Sequence, residues 1–358
     1  MALPIPEIRK MLDLRSDTAT MPTLEMREAM RNAVLGDGGR MDLTGRGEDP
    51  TVFELEILAA AILGKEDAVY VPTGTLANHM AMFTAADRGD KVLIEKMAHI
   101  YINEKFVFLP RYGGLIPVFY HLTKDCQIDI GEIERLLADD DIKVLCLENT
   151  HNHSGGACLT LETTRAVCER AQAKGAHVHL DGARIFNAAV ALGVDVKELV
   201  APVDSLMFCV SKGLCAPVGS LLAGSAEFIA RARSVGKMLG VFMRQSGVIA
   251  AAGITALKQN IARLKEDHEN AALLGRLLRG IDNVIMEPTA NQTNFVYLKV
   301  TPTGLTAQQV VDGLREKGLL AAKMTDESIR FAMHKDLSQA DVEKASAIVI
   351  AYFASLKK

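Results

Sequence analysis

Two short apolar runs in this 358-residue chain end in residues able to do covalent and electrostatic chemistry. In the first, Ser205-Leu206-Met207-Phe208-Cys209-Val210 gives way to Ser211-Lys212-Gly213, so a single lysine leaves an apolar strand and enters a turn. A setting that desolvates an ammonium makes it a better nucleophile toward a carbonyl. In the second, His177-Val178-His179-Leu180 ends in Asp181-Gly182-Ala183-Arg184. Taken singly, the lysine reads more simply as a surface residue in a tight turn, and the aspartate equally well as a helix cap. Together they fit a pyridoxal phosphate site, with Lys212 holding the aldehyde as a Schiff base and Asp181 pairing with the pyridinium nitrogen.

A phosphate needs donors. Thr73-Gly74-Thr75 sits between a strand expected at 67–72 and the helical run Leu76-Ala77-Asn78-His79-Met80-Ala81-Met82. Strand, small-residue turn and helix place free backbone N–H groups and a helix dipole at the turn, and two hydroxyls supplement them. Neither GxGxxG nor the Walker pattern is present, so the turn suits one phosphate; an ordinary N-cap is the other reading. His99 and His151 each come just after an expected strand and could stack on a ring or move a proton, or could simply be exposed. His151-Asn152-His153 and His177-Val178-His179 are HxH patterns without an evident third ligand, and no metal is expected. Arg184, Arg244 and Arg330 are candidate anion clamps, against the default of surface ion pairs.

The elements that must position these groups alternate. Strands are expected at 67–72, 91–95, 115–121, 143–148, 177–181, 205–210 and 218–223, with helices near 98–108, 129–138, 160–174 and 225–239. Upstream, helical spacing covers 23–35, and Asp49-Pro50 starts another helix that stops at Gly64. That alternation implies an α/β sheet of mainly parallel strands with ligands at their carboxyl ends. A long helical pattern then runs from Gln245 to about Arg279, with an irregularity near Gly253. Strands at 283–287, 293–300 and 328–333 and helices at 306–318 and 338–356 make a smaller α+β domain. The expected division is an N-terminal segment (1–22), a cofactor-binding large domain (23–250) and a small C-terminal domain (251–358).

Composition narrows the class. Net charge is −4 and no basic block is present, so nucleic acid is not an expected partner. No apolar run approaches the ~20 residues of a membrane span, and residues 1–10 lack the apolar core of a secretory signal. The expectation is a cytoplasmic protein whose six cysteines are reduced and buried.

The motifs Asp13-Leu14-Arg15-Ser16-Asp17-Thr18, Gly47-Glu48-Asp49-Pro50-Thr51, Pro72-Thr73-Gly74-Thr75 and Glu148-Asn149-Thr150-His151-Asn152 resemble those of the low-specificity L-threonine aldolases. So do His179-Leu180-Asp181-Gly182-Ala183-Arg184, Ser211-Lys212-Gly213 and Met243-Arg244-Gln245-Ser246-Gly247, in unbroken order from about residue 13 to 340. That family is a branch of the fold type I, aspartate-aminotransferase-like pyridoxal-phosphate enzymes. The resemblance implies an α/β large domain with a mainly parallel sheet, a smaller C-terminal α+β domain, and a homotetramer with sites at subunit interfaces.

It also implies roles. Lys212 would carry the Schiff base and Asp181 would face the pyridine nitrogen. Gly74, Thr75 and Arg244 would take the phosphate, and His99 would stack on the ring and serve as a candidate base. His151 would address the substrate's β-hydroxyl. Ser16, Arg184 and Arg330 would bind the carboxylate of an amino-acid substrate, Arg184 beside the cofactor as well. The implied reaction is retro-aldol cleavage of L-threonine, L-allo-threonine or a related β-hydroxy-α-amino acid to glycine and an aldehyde, acetaldehyde if threonine is the substrate. The alternatives are a β-eliminating lyase or racemase on the same scaffold, or a non-catalytic binder of the cofactor. One departure stands out: family members commonly carry a tyrosine where this chain has Arg46, in a longer segment from Asp37 to Gly47. A cation there is expected to alter the side-chain pocket.

Overall fold

A sheet whose strands are covered on both faces selects aliphatic and aromatic residues along their whole length. Seven such runs pair in the computed structural model, which describes residues 10–43, 45–139, 141–286 and 293–356. They are β1 (Asp67–Val71), β2 (Lys91–Glu95), β3 (Ile116–Tyr120), β4 (Ile142–Glu148), β5 (His177–Asp181), β6 (Ser205–Cys209) and β7 (Ser220–Gly224). Their order is β1-β7-β6-β5-β4-β2-β3. Only β7 runs against its neighbours, so the carboxyl ends of the other six share one edge. Register sets Glu148 opposite Asp181 and Asp181 opposite Met207 at that edge.

The chain divides into two compact units. The larger, Pro22–Asn152 with Cys158–Ala262, holds this sheet. Its helices include α1 (Leu24–Arg31), α2 (Pro50–Leu63), α3 (Gly74–Ala85) and α4 (His99–Asn103). Asp49 caps α2 by accepting from Thr51 N and Val52 N, and Thr73 caps α3 through Leu76 N. Helix α3 lies across β5, β6 and β7, and its Met80 and Met82 join Val69, Ile94, Val144 and Met207 in the core. The smaller unit takes the described parts of Met1–Met21, His153–Ala157 and Arg263–Lys358. Strands Ala322–Lys323, Ser328–Ala332, Phe295–Lys299 and Ile285–Met286 form an antiparallel sheet there, and Leu12–Asp13 pairs in parallel with Leu319–Leu320. Leu14, the apolar residue of the Asp13–Thr18 motif, is fully buried in this unit's core.

Two readings of the helices need correction. The expected 245–279 helix is two, Gly247–Gln259 and Leu264–Leu277, and the break falls at residues 260–263, not at Gly253. Gly253 lies inside the first helix, where an added Cβ would come 2.9 Å from Leu55 of α2, so the glycine serves close packing. A helix at Ile185–Leu192 was not expected. Its residues are apolar on nearly every side because the helix is buried, so no amphipathic period announces it. Five of the six cysteines are buried and Cys126 is half-buried. Residues 1–9 and residue 287, at the end of the strand expected at 283–287, lie outside the described residues. Among the described residues no helix is long and apolar enough to cross a membrane.

Arg46, whose cation the resemblance expects to alter the side-chain pocket, takes part in an ion cluster within the larger unit. Its guanidinium lies 4.7 Å over the Phe53 ring, pairs with Asp67, and brings Nε within 3.3 Å of Glu56 Oε2. Arg233, almost fully buried, donates to Asp67 Oδ2 (2.6 Å), Glu56 Oε2 (2.8 Å) and the Ala68 carbonyl (2.7 Å). The two arginines and two acids balance one another, so removing one strands its partners. Arg233→Ala is expected to destabilise the folded protein by about 3–5 kcal/mol, measured by urea unfolding. A loss below about 1 kcal/mol would show that the cluster is solvated and contributes little.

Candidate active site

The carboxyl edge of the sheet opens into a cleft of about 380 Å³ lined by Gly74, Thr75, His99, Glu104, Asp181 and Lys212 among others. Lys212 sits half-buried in the turn after β6. That turn is closed by Val210 N to Gly219 O, Cys215 N to Lys212 O and Ala216 N to Val210 O, at 2.9–3.1 Å. Gly219 has φ +116°, and a Cβ there would meet the Tyr70 ring at 2.3 Å, so only glycine lets the turn close against β1. Across the cleft, Thr75 stands in the first turn of α3, where the backbone N–H groups and helix dipole favour an anion.

Asp181 ends β5 and is buried. Its Oδ1 accepts from Ala183 N (3.1 Å) and its Oδ2 from Asn78 Nδ2 (3.2 Å). Gly182 then donates N–H to the Met207 carbonyl at 2.9 Å, and a Cβ at 182 would press on that same oxygen at 2.8 Å. The chain therefore turns away from Asp181 only because residue 182 has no side chain.

Glu104 was missed in sequence. It is buried, accepts from Thr75 Oγ1 (3.2 Å) and Asn78 Nδ2 (3.1 Å), and lies 3.1 Å from His99 Nδ1. The acceptor and ring atoms of His99, Glu104 and Asp181 all fall within 4.8 Å of one another. Burial pulls the His99 pKa down, but the Glu104 hydrogen bond and the charges of Asp181, Glu104 and Glu148 outweigh it, and the net shift is upward. A histidine raised in the folded state contributes stability that is complete below its usual 6.5 and is lost as pH rises through the higher folded value. The gap in melting temperature between the wild type and Glu104→Gln is thus expected to be widest near pH 6 and to narrow above neutrality. A gap that widens with pH would contradict the pairing.

A second buried acid organises the two histidine loops. Glu148 accepts His99 N (2.6 Å) and Asn152 N (2.7 Å), which ties the loop after β2 to the loop after β4. His151 is buried; its Nε2 lies 3.1 Å from Glu95 Oε2, while its Nδ1 has no hydrogen-bond partner among the described residues. Burial lowers the His151 pKa, yet Glu148, Glu95 and Asp181 push it to a net rise.

The structure thus brings Lys212, Asp181, His99, Gly74 and Thr75 to one cleft. His151 and Arg184 lie in the same unit without being among its lining residues. Arg244 is largely exposed and donates from Nη1 to Asp37 Oδ1 at 2.9 Å. Ser16 and Arg330 belong to the smaller unit. Ser16 Oγ caps a short 3-10 turn by accepting from Thr18 N (3.2 Å). Arg330 is buried, donates to the Arg15 carbonyl (3.0 Å) and lies 4.5 Å over the Phe295 ring. Neither HxH pair reads as a metal site. His151 and His153 flank the start of a 3-10 turn instead of alternating on a strand, and His177 and His179 both turn to Ser205 Oγ.

Comparison with known proteins places the chain. The Beta-eliminating lyase family profile matches residues 13–301. A low-specificity L-threonine aldolase of Arabidopsis thaliana is 39% identical over 344 residues, covering 94% of each chain. One from Escherichia coli K12 is 38% identical over 349 residues, 96% of this chain and 100% of that one. A solved structure from Listeria monocytogenes, provisionally assigned as an L-allo-threonine aldolase, superposes with a TM-score of 0.78 at 21% identity and covers 98% of both chains, a likeness of fold.

Proposed function

The chain belongs to the beta-eliminating lyase family, among the low-specificity L-threonine aldolases, and from that premise we propose a pyridoxal-phosphate-dependent carbon–carbon lyase. Its substrate is L-threonine, L-allo-threonine or a related β-hydroxy-α-amino acid, and its products are glycine and an aldehyde. The observation that carries this reading is an amine, an ionisable acid and a helix N-terminus on the walls of one cleft, in Lys212, Asp181 and Thr75.

The residues present suit the cofactor. A flat ring bearing an aldehyde, a basic nitrogen and a phosphate asks for a nucleophile, an anionic acceptor and a cluster of donors, and the cleft supplies each. When bound, pyridoxal phosphate supplies an aldehyde that condenses with an amine and a ring that accepts the electron pair released at Cα. The chain does the rest. Lys212 Nζ would hold the cofactor through its aldehyde, and Asp181 would keep a proton on the ring nitrogen. Thr75 with the first-turn N–H groups of α3 would take the phosphate, and Arg244 keeps its assignment to that phosphate on the strength of the motif match. His99 would pack against the ring. His151 takes the proton from the substrate's β-hydroxyl as the Cα–Cβ bond breaks, the aldehyde leaves, and a proton delivered to Cα completes glycine. Ser16, Arg184 and Arg330 keep their assignment to the substrate carboxylate on the strength of the motif match. A cytoplasmic homotetramer with sites at subunit interfaces forms part of the same proposal.

Product analysis tests it. Incubation of the holoenzyme with L-threonine and L-allo-threonine should yield glycine and acetaldehyde in equal amounts. Ammonia and a keto acid would instead assign β-elimination, and inverted amino acid alone would assign racemisation.

A further inference from the structure

The HxH pattern of β5 has a use that is neither metal binding nor packing. On a strand, alternate side chains share a face, so His177, His179 and Asp181 form one polar row, and α3 lies across that strand. Hydrogen bonds join this row end to end. His177 Nε2 lies 2.8 Å from Ser205 Oγ, which lies 2.9 Å from His179 Nδ1. His179 Nε2 lies 3.1 Å from Asn78 Oδ1, and Asn78 Nδ2 reaches both Glu104 Oε2 and Asp181 Oδ2. Asn78, His179 and Ser205 are wholly shielded from solvent.

Counting protons gives the chain a direction. Asn78 has two amide protons and gives one to each carboxylate, so its Oδ1 must accept from His179 Nε2–H. Burial, with His177 nearby, pushes the His179 pKa down to about 3, so the ring is neutral and Nδ1 carries no proton. Ser205 Oγ–H therefore donates to His179 Nδ1, and Ser205 Oγ accepts from His177 Nε2–H. Every donor points toward Asp181 and Glu104. His177 itself stacks on Phe228 at 4.7 Å, which steadies the far end.

We propose that Asn78, His179 and Ser205 are positioning residues of the active site, a one-way line of donors that orients the Asp181 carboxylate toward the cofactor ring and holds Glu104 against His99. The inference rests on the cofactor assignment above. The two acids take the Asn78 amide protons, and His179 Nε2–H satisfies its oxygen. Without that donor Oδ1 is a buried acceptor lacking its partner, and the amide is no longer held from both ends in the position that serves Asp181 and Glu104.

Two variants at one position separate positioning from mere filling of space. His179→Leu keeps the volume and deletes the line. His179→Gln places an N–H near the former Nε2 and preserves the donor to Asn78. In His179→Leu the dissociation constant for pyridoxal phosphate is expected to rise about tenfold, as for loss of one buried hydrogen bond, and the pH midpoint of the holoenzyme's visible band to move. His179→Gln should restore both toward wild type, and Ser205→Ala, the milder change, should move them in the same direction as leucine. Circular dichroism melts identify any variant that fails to fold, and Ser205→Ala carries the test if His179→Leu does. Folded leucine and alanine variants with wild-type affinity and midpoint would overturn the inference while leaving the cofactor assignment intact. Wild-type protein that binds no pyridoxal phosphate would instead remove the assignment itself.

Discussion

Lys212→Ala is expected to lose the Schiff-base absorption band of the bound cofactor and to cut turnover of L-threonine by at least about 10³-fold. The turn holding the lysine is closed by backbone hydrogen bonds and by Gly219, not by the lysine side chain, so the variant should fold and melt as the wild type does. Its deficit is the amine lining the cleft that also holds Asp181 and Thr75. Pyridoxal phosphate can still occupy the phosphate turn and face Asp181, so binding weakens without vanishing. Absorbance of the purified variant, read beside a glycine-release assay, checks both parts. A folded variant with wild-type activity would refute the assignment of this lysine.

Asp181→Asn should be nearly as damaging. Both carboxylate oxygens already accept, one from Asn78 Nδ2–H and the other from Ala183 N–H. An amide in the same place sets its own N–H against one of these donors, whichever way it is turned. On the proposed reading it also removes the negative charge that would face the ring nitrogen, and with it the fixed electrostatic support for charge that develops as the Cα–Cβ bond breaks. Loss of one such preorganised interaction typically costs about 10²–10³ in kcat, and that is the expected fall. Asp181→Glu keeps the charge but lengthens the side chain in a buried site, and should recover only part of it. A kcat unchanged in Asp181→Asn, with intact fold, would show that the carboxylate does not face the reacting system.

Much of this could be read from the chain, and the reasons differ by residue. Strands β2 and β5 fall where the apolar runs place them, because a strand buried on both faces announces itself by composition. Lys212, Asp181, Gly74, Thr75 and His99 were legible because each stands at or just past the end of such a run, and parallel strands bring their carboxyl-terminal residues to one edge. Glu104 was not. It comes five residues after His99, at the junction of α4 and a 3-10 turn, and no period links the two positions. Asn78 left a faint trace, since an amide one turn after Gly74 in a helix rich in Ala and Met asks for a buried partner. The ion cluster around Arg46 was not legible, because its partners Glu56 and Asp67 lie 10 and 21 positions away and the second arginine on those acids, Arg233, lies 187 positions away in sequence. The helix at Ile185–Leu192 was hidden by its own burial.

Glu104 and Glu148 give the site a shape that the motifs alone do not. One binds the His99 ring and the Thr75 hydroxyl, and the other ties the backbone of the His99 loop to the His151 loop. Positions of the two histidines are thus set by buried acids, which also bias both rings toward protonation. A base that begins its work protonated must first be relieved of that proton. Activity is accordingly expected to rise with pH through the raised histidine value and to fall less steeply on the alkaline side.

Borohydride reduction of the holoenzyme and subsequent peptide mapping test the central claim most directly. Reduction should fix one pyridoxyl phosphate group per chain on the peptide containing Lys212, and pretreatment with L-threonine should diminish that label. A label on another lysine, or none on a chain that nevertheless cleaves threonine, would contradict the account.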